Sequence, residues 1–152
     1  MKRFALVGTL GLVLAGLVVL VAPPQAQADR AGAEACLEKY MGPMTEQGRR
    51  FRAKDIFTAE PNTPVSYRLT LYKGLSYIIM GCSDSSEADL DFRLYDKDGN
   101  SVDLDTAKDG VPFVHADPKE TAEYILQVTS YKTETKTDFG LAILYLDSTK
   151  EQ

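Results

Sequence analysis

The chain of 152 residues contains no tryptophan, one histidine and two cysteines. Each scarcity closes off some chemistry. Two carboxylates flanking a glycosidic bond are all that sugar hydrolysis strictly requires, but an acidic protein this small without a single Trp is a poor glycosidase. With His115 alone, a zinc site would have to draw on carboxylates or both cysteines, and no ligand spacing supports one. A Ser-His-Asp triad lacks its usual setting, since no G-x-S-x-G motif is present. Basic residues are also in the minority, 17 Lys and Arg against 22 Asp and Glu, and are dispersed except for Arg49, Arg50, Arg52 and Lys54. That balance argues against nucleic acid and against an anionic membrane surface. The basic cluster is interrupted by Phe51 and Ala53 and flanked by Glu46 and Asp55, so it reads as a solvated face.

The longest apolar run stands at the beginning. Met1, Lys2 and Arg3 supply a short positive segment, residues 4–22 are uncharged, and Pro23-Pro24 breaks the run ahead of Ala26-Gln27-Ala28. Small residues at those two alanine positions are what a signal peptidase reads. An uncleaved anchor is the competing reading, because the run is near the lower limit for spanning a bilayer. The A-x-A site beyond a proline pair favours a signal peptide over residues 1–28, cleaved after Ala28. No Cys follows the run directly, which argues against a lipid-anchored lipoprotein. The expectation is a periplasmic or secreted protein with no stable membrane anchor once the signal is removed.

The remaining 124 residues suffice for one domain with a real core. Their balance is 15 basic side chains against 22 acidic, a net charge of −7. In an oxidising compartment Cys36 and Cys82 are expected to pair. The bridge would close a loop of about 47 residues, worth roughly 4 kcal/mol in the chain-entropy treatment. It would staple an N-terminal segment to the domain that follows.

That segment, residues 29–64, reads as a helix and a connector. Residues 31–41 are mostly good helix formers, Leu37, Tyr40, Met41 and Met44 fall at helical spacing, and Gly42-Pro43 is expected to end the helix. The connector carries one short strand at 55–59. After Pro64 the period changes to two. Val65, Tyr67, Leu69 and Leu71 alternate with polar residues, and 75–82 is apolar on both faces, as a central strand should be. Leu90, Phe92 and Leu94 alternate again, and Asp98-Gly99-Asn100 signals a hairpin. Further strands are expected at 111–116, 124–128 and 139–146. Short strands about ten residues apart, with no helix between them, predict an all-β, antiparallel sandwich over residues 65–147. A tail at 148–152 follows.

Four segments in order resemble a known family: LTLYKGLSY from Leu69, DLDFRLYDKDGN from Asp89, EYILQV from Glu123 and FGLAI from Phe139. The chain is similar to the bacterial pre-peptidase C-terminal domain, a jelly-roll-like β-sandwich usually appended to secreted enzymes. The likeness covers residues 65–146 and implies a non-catalytic accessory module, some members binding calcium and others polymers. Two departures stand out. Ala122-Glu123 replaces the Gly that often precedes the Tyr of the penultimate strand, and no enzyme domain is attached.

Nine carboxylates crowd between Ser83 and Asp109, with only Arg93, Lys97 and Lys108 to offset them. Calcium takes six to eight oxygens, which such loops can supply. Asp96-x-Asp98-Gly99-Asn100 departs from the EF-hand spacing, with Gly too early and no Glu at the twelfth position. Turns plus solubilising charge explain most of these residues. For calcium the first candidates are Asp84, Asp89 and Asp91, just beyond Cys82. His115, in a short strand, reads as a surface or hydrogen-bonded structural residue, and Tyr72, Tyr95, Tyr131 and Tyr145 as outward or rim positions. The sequence therefore points to an exported, non-catalytic binding or accessory module, with an extracytoplasmic protein or polysaccharide as partner and calcium as the candidate cofactor. The alternatives are a small secreted hydrolase using the acidic cluster or His115, and an inhibitor or partner of a separately encoded peptidase.

Overall fold

Period-two patterning becomes two packed sheets in the computed structural model, which describes residues 29–85, 87–131 and 136–147. The expected leader and tail lie outside the described residues. A helix, α1 (Arg30–Glu46), precedes β1 (Arg50–Ala59), β2 (Val65–Leu71), β3 (Leu75–Ser83), β4 (Asp89–Tyr95), β5 (Ser101–Asp105), β6 (Phe113–Ala116), β7 (Ala122–Tyr131) and β8 (Thr137–Asp147). One sheet has the order β1-β8-β3-β6 and the other β2-β7-β4-β5. All pairs are antiparallel. This is the all-β jelly-roll-like sandwich expected from the sequence.

The core between the sheets is built from alternate residues. Tyr77 and Ile79 of β3 and Phe139, Leu141 and Ile143 of β8 face Leu90, Phe92 and Leu94 of β4 and Leu126 and Val128 of β7. Phe57 of β1 packs edge-on against Phe139, with ring centroids 3.7 Å apart. Tyr145 belongs to this inner set too and packs against the core, with its ring 6.3 Å from that of Tyr77. It is thus not outward, because it shares the register of Phe139 and Ile143.

The intervening residues of β3 and β8 are equally apolar, and this demands a second core. Ile78, Met80 and Cys82 of β3 and Ala142 and Leu144 of β8 lie beneath α1, where Leu37 is fully buried among them. The Cys36–Cys82 disulfide joins helix to sheet. A Cβ added at Gly140 would collide with the end of Leu37 and lie 3.1 Å from Ile56 Cδ1. The glycine therefore lets the helix sit close to β8.

Three elements depart furthest from expectation. The helix continues through Pro43, since proline removes only one hydrogen bond there and Gln47 N–H still donates to Pro43 O at 3.1 Å. It ends at Glu46, and Gly48, with a φ of +90°, suits a position just past a helix end. The strand placed at 55–59 begins at Arg50 and forms an edge of the first sheet, so the basic cluster belongs to the sandwich rather than to a connector. β5 went unread because its alternation is inverted. Asp103 and Asp105 pair with the inward-facing Leu94 and Phe92, leaving Val102 and Leu104 exposed.

Gly140→Ala is expected to destabilise the domain by about 1–3 kcal/mol through overpacking against Leu37. Leu37→Ala in the same chain should cost less than the two single changes summed, because the smaller side chain relieves the collision. Urea denaturation of the four proteins measures the coupling, and strict additivity would count against this contact.

Candidate functional site

Most of the crowded carboxylates accept hydrogen bonds from their own chain. Asp96 accepts from the backbone N–H groups of Asp98 and Asn100, at 2.9 and 2.8 Å, and from Asn100 Nδ2 at 3.0 Å. These bonds, the side-chain amide first, hold its carboxyl below the ordinary range and close the β4–β5 hairpin, where Gly99 has a φ of +83°. Asp103 and Asp105 reach across the sandwich to the free edge of β6. They accept from His115 N–H at 2.7 Å and Phe113 N–H at 2.9 Å. His115 Nδ1 lies 3.6 Å from the same Asp103 oxygen, and its side chain is exposed on this edge.

The three calcium candidates occupy two different places. Asp84, at the end of β3, accepts from Asp29 N–H at 2.7 Å and Asp138 N–H at 3.3 Å, which ties it to the start of α1 and to β8. Asp89 and Asp91 lie on β4, opposite Tyr131 and Thr129 of β7, on the face turned away from the core. Asp91 is only 8% exposed. Burial, and secondarily the charge of Asp89, raises its carboxyl above the ordinary range, although Arg93 Nη2 stands 3.5 Å away. Among the described residues, no three His, Cys, Asp or Glu side chains are grouped so as to hold a metal.

The basic residues are also used locally. Arg52 donates to Thr70 O on β2 at 2.7 Å, and its guanidinium lies 5.1 Å from the centre of the exposed Tyr72 ring. Lys54 bridges Glu34 and Glu38 of α1. Arg52 and Lys54 therefore tie β1 to β2 and to the helix and are not simply solvated, a role their spacing did not reveal.

A groove of about 520 Å³ opens between α1 and the chain around Ser83–Ser85 and Asp109–Val111. Cys36 and Val111 line it together with Lys39, Tyr40, Asp84 and Asp109. The Tyr40 ring meets Phe113 edge-on at 6.3 Å, and Lys39 Nζ lies 5.2 Å from the Tyr40 ring centre. The disulfide fastens one wall to the other, since Cys36 is on the helix and Cys82 on β3. The sequence offers the residues on the two sides of this groove as helix formers, one half of a cysteine pair, turn carboxylates and, in Asp84, a calcium candidate, but not as one site. Tyr40 beside Lys39, on a helix carrying a bridging cysteine, is the signal that could have found it.

Because burial raises the Asp91 carboxyl, its ionised form weakens the fold above the folded-state pKa, and the penalty fades as pH falls through that value. In calcium-free buffer, Asp91→Asn is expected to raise the melting temperature at neutral pH. The gain should vanish below the ordinary aspartate pKa of about 3.9, where the residue is neutral in both states. Melts from pH 3 to 8 measure this, and a pH-independent difference would contradict the burial account.

No family model and no curated protein matches the chain. Among solved structures, it aligns with the crystal structure of Aeromonas hydrophila PliG, a periplasmic lysozyme inhibitor of g-type lysozyme. The TM-score is 0.48, at 15% identity over 66% of this chain and 90% of that one.

Proposed function

We propose that the protein is an exported, non-catalytic β-sandwich, processed after Ala28, that binds an extracytoplasmic protein in the groove beside α1. The observation that carries the reading is the groove itself, about 520 Å³ with its two walls cross-linked by Cys36–Cys82. Its contents suit a polypeptide. Cys36, Ala35 and Val111 offer apolar contact, whereas Lys39, Tyr40, Asp84 and Asp109 offer both charges and a hydroxyl for main-chain and side-chain groups. Walls fixed before binding lose little conformational freedom when a partner arrives. The four segments that resemble pre-peptidase C-terminal domains accord with an accessory role in the periplasm or outside the cell. An enzyme encoded elsewhere belongs to the same partner class.

Mature protein immobilised through its C-terminus should retain a partner from envelope extract. Tyr40→Ala and Lys39→Glu should each weaken retention about tenfold or more, roughly 1.4 kcal/mol. His115→Ala and Arg93→Ala, which lie outside the groove lining, should leave it intact. Retention indifferent to both groove variants would overturn the site. A hydrolytic activity abolished by His115→Ala would overturn the non-catalytic reading.

Calcium stabilisation is the second reading, favoured by the nearly buried Asp89–Asp91 pair on one face of β4, where a cation would relieve the strain on the Asp91 carboxyl. If calcium binds there, a hundredfold excess over Kd adds about 2.7 kcal/mol to stability. Calorimetry should then show a rise of several degrees that Asp89→Asn/Asp91→Asn removes. No shift in the wild-type protein would sink this reading and leave the groove proposal untouched.

A further inference from the structure

The backbone nitrogen of Asp29 donates to Asp84 Oδ2 at 2.7 Å. Asp84 is itself held. Its Oδ2 lies 3.3 Å from Asp138 N, its Oδ1 3.3 Å from Ser83 Oγ, and its own N–H donates to Asp138 O at 3.0 Å. We propose that Asp84 is the receptor for the α-ammonium group that leader removal creates on Asp29, so that processing installs an ion pair locking α1 onto the sandwich. The inference rests on cleavage after Ala28, as proposed above. Hydrolysis of the Ala28–Asp29 peptide bond consumes one water, leaves a carboxylate on Ala28 and converts the amide nitrogen of Asp29 into a protonated amine. A neutral single donor becomes a cation with three donors at the same place.

The chemistry of that place favours such a counter-ion. A positive charge at a helix N-terminus sits at the wrong end of the helix dipole and needs a carboxylate to offset it. A charge-assisted hydrogen bond is also about twice as strong as a neutral one. Asp29 supplies part of the offset itself, since its side chain caps α1 by accepting from Ala31 N–H at 3.1 Å. Gly32 makes room for this, because a Cβ there would lie 2.9 Å from Asp29 Oδ2. The two charged side chains nearest in the chain to these partners, Arg30 and Asp138, are engaged elsewhere. Arg30 Nη2 donates to Ile56 O at 2.8 Å, and Asp138 Oδ1 accepts from Thr58 Oγ1. Asp84 is thus the carboxylate directed at the new amine, and it also lines the groove.

The experiment uses protein exported with its own leader. Intact mass first shows whether Asp29 is the first residue. The pH dependence of α-amino acetylation, followed on the N-terminal peptide by mass spectrometry, then gives the amine's titration midpoint. A free α-amino group titrates at about 7.7–8.0, and the clamped one is expected at least about one unit higher. Asp84→Asn keeps a carbonyl acceptor for the Asp138 N–H but removes the charge, so its midpoint should return to the ordinary range. Asp84→Glu should retain part of the rise. An ordinary midpoint in the wild type overturns the clamp even if the Asn variant fails to fold, as do equal midpoints in wild type and Asp84→Asn. A mass giving another first residue overturns the processing reading and the clamp with it, whereas the expected mass with an unshifted amine overturns the clamp alone.

Discussion

Everything on the outer side of the first sheet depends on Leu37 lying where Gly140 has no side chain. β3 and β8 are apolar on both faces, so a bare sandwich would leave Ile78, Met80, Ala142 and Leu144 against water. Covering them takes a helix at close range, and close range takes a position on β8 without a Cβ. The disulfide then reduces the freedom of the unfolded chain, but it cannot by itself create the packing that Leu37 provides. The helix is a weak one when considered alone, with Gly32, Gly42 and Pro43 inside its seventeen residues. Its stability comes from the sheet, and the sheet's outer face is dry because of it.

The two lateral seams of the sandwich are closed by charge. On one side Asp103 and Asp105 point inward from β5 and accept the free N–H groups of β6. On the other, Arg52 at the bulge of β1 donates to the free carbonyl of Thr70 on β2. Edge strands present unpaired backbone groups that template aggregation, and inward charges and bulges are among the devices that prevent it. The abundance of aspartate is therefore partly a structural requirement. Asp96, Asp103 and Asp105 are turned to backbone donors in three separate places, which is why an acidic stretch in the sequence did not become one acidic site in space.

What was legible in the sequence follows from the same physics. Strands whose inner face is apolar, such as β2, β4 and β7, announced themselves by alternation, and β3 by the absence of it. The cysteine pair was legible because the oxidising destination expected from the leader, with an even count, leaves few other uses for two thiols. β5 was not, since its apolar residues point outward and its carboxylates inward, the reverse of the pattern that periodicity detects. Pro43 misled in the opposite direction, because a proline one turn from a helix end costs a single hydrogen bond. The groove was illegible for a different reason. Its lining comes from α1, the end of β3 and the chain before β6, and only the Cys36–Cys82 link hinted that these would meet.

If the chain is exported as proposed, these constraints tie the groove to the compartment. Its helical wall is a marginal helix held by Leu37, by the disulfide and by the contacts of Asp29 and Arg30 at its start. A reducing environment removes the covalent link, and on the proposed processing an uncleaved chain has an amide at Asp29 where the mature one has an amine. Either condition leaves the sandwich core in place, because the residues between the sheets form a cluster separate from the one beneath α1. What weakens is the attachment of α1, and with it the wall carrying Lys39 and Tyr40. On the export reading, the fold is thus complete as a sandwich before it is complete as a binding surface. On that same reading, the chemistry that finishes the proposed surface belongs to the destination and not to the site of synthesis.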